Sequence, residues 1–287
     1  MLAHPLRALR PALAAELVLV VAACGSNGPT PTPPPVSSAA SSVAPAEASP
    51  PGAPSGVAAT TSPVATGPSA SPVPSPLGPG ASIEPANFVA AIDNPWFPLK
   101  PGTVWTYRGV KDGEAGIDTM TATADTKVIA GVTCVVVHDQ LVQGGKVKER
   151  TDDYYVQDVA GNVWYFGEAT AELDDNGKVA STEGSWQTGV DGAMPGIIMP
   201  TDPQVGVGGP QEIYPGQAED HFVVLLTNAK VKVPAGSYAS ALITAEWTPL
   251  EPAVLSEKAY ASGVGEVSEA DVKGGDEKFE LVSVATK

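Results

Sequence analysis

Between Thr103 and Val284 the chain alternates side-chain character with a period of two and breaks at Gly, Pro, Asn and Asp. That pattern restricts the fold more than any other feature, because a period of two places alternate side chains on opposite faces of a strand. Thr119, Thr121 and Thr123 fall on one face, and Met120, Ala122 and Ala124 on the other. Turn signals punctuate the runs at Ala130-Gly131, Gly144-Gly145, Asp158 to Asn162 and Asp174 to Lys178. The spacing predicts strands over 103–109, 117–129, 132–141, 147–157, 163–167, 222–233, 239–248, 254–260, 265–272 and 278–284. Helical periodicity is absent apart from a short turn expected between Pro85 and Ile92. The fold class is therefore all-β: a curved antiparallel sheet, as an open barrel or a sandwich. Thr-rich faces suit a sheet that wets one side.

The strand pattern fails between Glu183 and Pro215, where Gly and Pro are frequent. Trp186, Met194, Ile197, Ile198 and Met199 lie within this stretch. So long an irregular segment either plugs the open end of the sheet and completes the core, or forms a lid or ligand rim.

Ahead of the strands stand two segments of different composition. Residues 1–23 carry Arg7 and Arg10 before an apolar run from Pro11 to Ala23 that includes Glu16. The run is shorter than the roughly 20 apolar residues of a membrane span, and its flanks are those of a secretory signal peptide. Val21-Ala22-Ala23-Cys24 has the form of a lipobox. Small residues there admit the signal peptidase, and the Cys24 thiol is the expected lipidation site. From 25 to 80 the chain holds 15 Pro and a single charged residue, Glu47. Such a stretch cannot bury enough apolar surface to offset its ordering entropy, so a disordered Pro/Ala/Ser/Thr-rich tether is expected. The expected organisation is signal peptide 1–23, lipidated Cys24 and linker 24–82, and β domain 83–287.

The net charge of −16 excludes nucleic acid as a partner, since a phosphate backbone would be repelled. Two Cys exclude a disulfide-dense scaffold and a multi-Cys zinc site. Cys134 sits within Val132-Thr133-Cys134-Val135-Val136-Val137, the setting of a buried, inert thiol. His138 shares its strand face but stands about 13 Å away, too far for a nucleophile–base pair. His221 follows Glu219-Asp220, yet no Ser occupies a nucleophile-elbow context. Gly206-Val207-Gly208-Gly209 lacks the strand-then-helix setting of a phosphate loop. Asp152-Asp153 and Asp174-Asp175-Asn176-Gly177 offer hard oxygens to Ca²⁺, but the latter ends as an ordinary hairpin turn does. No catalytic residue, metal site or cofactor is expected.

Several stretches match a wider pattern. They are Asn94-Pro95-Trp96-Phe97-Pro98-Leu99, Gly161-Asn162-Val163-Trp164-Tyr165-Phe166-Gly167-Glu168, Gly196-Ile197-Ile198-Met199-Pro200, Val233-Pro234-Ala235-Gly236-Ser237-Tyr238, Glu246-Trp247-Thr248-Pro249-Leu250-Glu251-Pro252 and Tyr260-Ala261-Ser262-Gly263-Val264-Gly265. On these the chain resembles a family of secreted bacterial proteins, many of them lipoproteins, with an antiparallel β-sheet domain. The resemblance implies the fold class and an extracytoplasmic location, and brings no activity or catalytic residue with it. The expected function is a non-enzymatic envelope protein, anchored to the membrane through lipid on Cys24. Its β domain would bind an apolar small molecule or lipid, or an envelope partner. Trp96, Phe97, Trp164, Trp186, Ile197 and Ile198 are the candidate lining residues. A structural or adhesion module is the alternative, and a hydrolase using His221 with Asp220 is another.

Overall fold

The computed structural model describes residues 82–286. Cys24 and the linker up to residue 81 lie outside the described residues. A 3-10 turn at Pro85–Asn87 leads into β1 (Phe88–Val89). Five long strands follow: β2 (Thr103–Lys111), β3 (Glu114–Ile129), β4 (Val132–Gln143), β5 (Lys146–Asp158) and β6 (Val163–Leu173). Short strands come next: β7 (Val179–Ser181), β8 (Trp186–Gln187), β9 (Met194–Met199), β10 (Gly208–Pro210) and β11 (Glu212–Ile213). A second long series closes the chain: β12 (His221–Val233), β13 (Gly236–Trp247), β14 (Leu255–Ala261), β15 (Gly265–Lys273) and β16 (Lys278–Thr286).

All pairings are antiparallel, and each long series is a meander of hairpins. The two meanders join where β16 pairs with β2, from Lys278 opposite Val110 to Thr286 opposite Thr103. The sheet thus curls into a nearly closed barrel, as the alternation predicted. Its seam is the segment from which no strands were expected. β9 adds to β6, β11 adds to β9, and β10 adds to β12. Only Gln211 separates β10 from β11, so one short stretch of backbone grips both sheet edges, and Gln211 N donates to Asp220 O at 2.6 Å. Glycines make this approach possible. A Cβ on Gly196 would lie 2.3 Å from Pro210 O, and one on Gly208 would lie 2.0 Å from Phe222 O.

Alternation sends side chains to two cores. Inside the barrel Trp105, Tyr107, Met120, Ala122, Tyr155, Tyr165, Leu242, Tyr260 and Leu281 form one cluster. Outside, Ile129, Val132, Cys134, Val136, Tyr154, Val156, Trp164, Phe166 and Ile197 form a second, covered by Ile83 and Phe88. Phe88 meets the rings of Phe166 and Trp164 edge-on at 5.3 and 6.2 Å. Without that cover the outer face would be an exposed apolar patch.

Residues between β1 and β2 plug one end of the barrel, contributing Ile92, Phe97 and Leu99 to the inner core. Asn94 fixes the plug: its Nδ2 donates to the carbonyls of Gly161 and Pro200, and its Oδ1 accepts from Trp96 N. Gly263 N donates to Pro95 O at 2.6 Å, tying the β14–β15 turn to the same plug.

Candidate functional site

At the opposite end, where β13 stops and β14 starts, the chain makes a proline-bounded turn. Glu251 N donates to Thr248 O and Val254 N to Glu251 O, which folds Thr248 to Val254 tightly. Pro249 and Pro252 present ring carbons and no backbone donor there. With Trp247, Thr248, Val254, Leu255 and Lys273 they wall an open recess of about 390 Å³. Leu255 and Lys273 come together because they are register partners across β14 and β15. Trp247 is likewise the register partner of His221, and the two rings stack at 5.7 Å with 21° between planes. The imidazole is held from behind by Nδ1, 2.8 Å from Glu219 O. The recess is thus an open, mostly apolar depression with Trp247 on one wall and Lys273 among its lining residues.

Among the described residues, large side chains pack the barrel interior. Tyr155 and Tyr165 stack at 4.8 Å, with Phe97 and Trp186 edge-on to them. A cavity bounded by Tyr165, Ile198, Gln211, Glu212, Asp220, Glu246 and Lys258 measures about 10 Å³, room for about one water. Around it lies a layer of buried ionisable groups. Asp118, Asp139, Asp153, Glu168, Glu212, Glu246, Lys258, Glu266 and Glu269 are all at most 5% exposed. Tyr165 donates its hydroxyl to Asp153 Oδ1 at 2.6 Å and to Glu168 Oε2 at 3.2 Å. Trp186 Nε1 donates to Glu212 Oε1 at 3.1 Å. Lys258 Nζ lies 3.3 Å from Glu246 Oε2 and 3.4 Å from Glu269 Oε1.

Carboxylates removed from water favour the protonated form. Burial, reinforced by the neighbouring Asp139, pushes the Asp118 carboxyl well up. Burial pushes Asp139 to about 6. It pushes Glu266 to about 7 despite the opposing pull of Lys258. Glu212 rises through burial and the nearby Asp220.

The six residues singled out from sequence do not converge on one pocket. Phe97, Trp186 and Ile198 pack in the inner core, while Trp164 and Ile197 belong to the outer one. Trp96 is half-buried against the inner cluster. Of the six, Ile198 alone borders the small interior cavity. Cys134 is buried in the outer core, with its thiol pushed to about 12 by burial. His138 contacts Asp152 at 2.5 Å on the exposed surface. In the 174–177 turn Asp174 Oδ1 accepts from the amides of Asn176 and Lys178, and Asp175 pairs with Lys146 and Lys148. Among the described residues no group of three or more His, Cys, Asp or Glu is placed to hold a metal ion.

Two features escaped the sequence reading. Trp247 followed by two spaced prolines at a strand end was a usable signal for the recess. The acids on β13, β14 and β15 gave a weaker one, since alternation alone does not say which face of a strand turns inward.

No protein-family model and no curated protein matches the chain. Two solved structures are similar to it. A presumed exported protein with a YmcC-like fold from Bacteroides fragilis shares 14% identity at a TM-score of 0.39, covering 67% of this chain and 99% of that one. A presumed lipoprotein from Parabacteroides distasonis shares 12% identity at a TM-score of 0.38, covering 66% of this chain and 98% of that one. At this level of likeness neither description transfers to the present chain.

Proposed function

We propose that the chain is a lipid-anchored extracytoplasmic envelope protein whose barrel binds an apolar small molecule in the recess beside Trp247. Lipid on Cys24 holds the protein to the membrane, and the Pro-rich linker spaces the barrel away from it. Two or more acyl chains suffice for stable anchoring, where one gives marginal binding. The domain works without catalysis. Cys134 is enclosed, His138 is engaged by Asp152, and His221 is committed to Trp247 and the Glu219 carbonyl. The observation that carries the binding reading is the contrast between the two spaces: a filled interior and an open, proline-walled recess of about 390 Å³.

The test is a fluorescence titration of the protein with an anionic anilinonaphthalene dye. Saturable binding is expected in the parent protein. It should be lost in Trp247→Ala, weakened in Lys273→Gln and retained in Trp96→Ala. Equal binding by the parent and Trp247→Ala would overturn the assignment. The filled interior also favours a second reading, a purely structural or adhesion module, which total absence of saturable binding would support.

A further inference from the structure

The interior holds an arrangement that the binding reading does not use. Lys258 on β14 stands opposite Thr244 on β13 and Glu269 on β15, and Glu246, two residues along β13 from Thr244, stands opposite Ser256. Thr244, Glu246, Lys258, Tyr260 and Glu269 are each at most 5% exposed. The two oxygens of Glu246 have different surroundings. Oε1 accepts from Thr244 Oγ1 at 2.8 Å and from Tyr260 OH at 3.2 Å. Oε2 instead faces Lys258 Nζ at 3.3 Å, and the same Nζ lies 3.4 Å from Glu269 Oε1. An amine against one oxygen of a carboxyl group, two hydroxyl donors on its other oxygen and a second carboxyl beside the amine are the parts of an acyl-transfer site. Donors aimed at the oxygen where negative charge develops stabilise a tetrahedral intermediate, and a neighbouring carboxyl serves as proton shuttle.

We infer that Lys258 and Glu246 become joined by an intramolecular amide bond, Nζ to Cδ, which cross-links β13 to β14 inside the barrel. The starting state is an ammonium and two carboxylates. Burial works against the Lys258 charge, but Glu246 and Glu269 outweigh it and keep the amine protonated. Lys258 passes one proton to Glu246 Oε2, 3.3 Å away, so the carbon to be attacked belongs to a neutral acid and Glu269 remains free as the base. Burial pushes the Glu269 carboxyl well above its usual range, the opposing pull of Lys258 notwithstanding, so this side chain is suited to hold a proton. The free Nζ lone pair attacks Glu246 Cδ, forming the C–N bond. Negative charge gathers on Oε1, where Thr244 and Tyr260 donate. Glu269 takes one proton from the new nitrogen cation and delivers it to the Oε2 hydroxyl. The C–Oε2 bond then breaks and water leaves. Glu269 returns to its starting state, so two hydrogens and one oxygen depart and no oxidant, reductant or co-reactant is consumed. Holding the reacting atoms in place supplies the effective concentration that the same two groups lack in water.

Peptide mass spectrometry of the full chain tests this directly. Trypsin cuts after Lys232, Lys258 and Lys273, and an acylated Lys258 is no longer cut. The expected product is a peptide from Val233 to Lys273, uncut at Lys258 and lighter than its sequence by one water. Fragmentation should place the lost water between Glu246 and Lys258. Lys258→Met is expected to restore the full sequence mass, and Glu269→Gln to leave the pair unlinked. Separate peptides Val233 to Lys258 and Ala259 to Lys273, each at sequence mass in the parent protein, would overturn the inference. So would a water loss that maps elsewhere or persists in Lys258→Met. Full linkage in Glu269→Gln would overturn the shuttle step.

Discussion

The barrel seam makes a sharp prediction about Gly196. This residue on β9 runs past the Pro210–Gln211 backbone so closely that a Cβ would sit 2.3 Å from Pro210 O and 2.5 Å from both Gln211 C and Gln211 O. All three are backbone atoms of the stretch that grips both sheet edges, so no side-chain rotation relieves the clash. Gly196→Ala must push that stretch away from β9, straining the Glu212–Pro195 and Ile213–Met194 pairings. Overpacking of this kind costs about 1–3 kcal/mol. For a domain of this size each kcal/mol lowers Tm by about 2–4 °C, so a fall of about 4–8 °C is expected for a middle value of about 2 kcal/mol. The control lies next door. Gly209 has open space where its Cβ would be, and Gly209→Ala should leave Tm within about 1 °C, as surface substitutions do. Scanning calorimetry of the three proteins at one pH measures both shifts. Equal Tm values for Gly196→Ala and the parent would refute the seam as described.

Further predictions rest on burial and charge. Asp118, Asp139, Asp153, Glu212, Glu266 and Glu269 have folded-state pKa values above their unfolded ones, so the folded protein binds more protons at these groups than the unfolded chain between about pH 4 and pH 7. Their stabilising contribution is greatest below that window and is lost as pH rises through about 6 for Asp139 and about 7 for Glu266. The urea midpoint should therefore fall from pH 5 to pH 8, and Asp139→Asn should flatten the slope; a midpoint that rises with pH in the parent would contradict this. Asp174 and Asp175, lowered by backbone amides and by lysines respectively, act in the opposite sense only below about pH 4. Cys134 should resist maleimide in the folded protein and react in urea, as a buried thiol raised to about 12 requires; rapid labelling without urea would place it elsewhere.

Much of the fold was legible because the long strands show their period openly. All ten expected strands are present, and most of them run longer than the sequence indicated. β6 was expected to stop at Gly167 and continues to Leu173. Gly167 marks a bulge rather than an end: its φ is +138°, and Trp186 O approaches where a Cβ would stand. The six short strands were not legible, since two to six residues cannot display a period and Gly or Pro occupies several of them. The Pro85 turn was readable from its proline.

The site was harder to read. Trp186 and Ile198 were sound choices as large apolar residues in an odd segment, but size and apolarity do not distinguish lining from filling. Trp247 stood out less because it ends an ordinary strand, and its partner His221 is 26 positions away by sequence numbering. Register alone brings the two rings together. The Glu246–Lys258–Glu269 group has the same origin: three strands place it, and no local motif announces it.

The central claim is that a folded barrel is presented from a membrane by lipid on Cys24. Detergent-phase partitioning of the full chain and of Cys24→Ser, expressed in a bacterium that processes lipoproteins, tests it most directly. The parent is expected in the membrane fraction and the detergent phase, and Cys24→Ser in the aqueous phase. Membrane association unchanged in Cys24→Ser would contradict the claim.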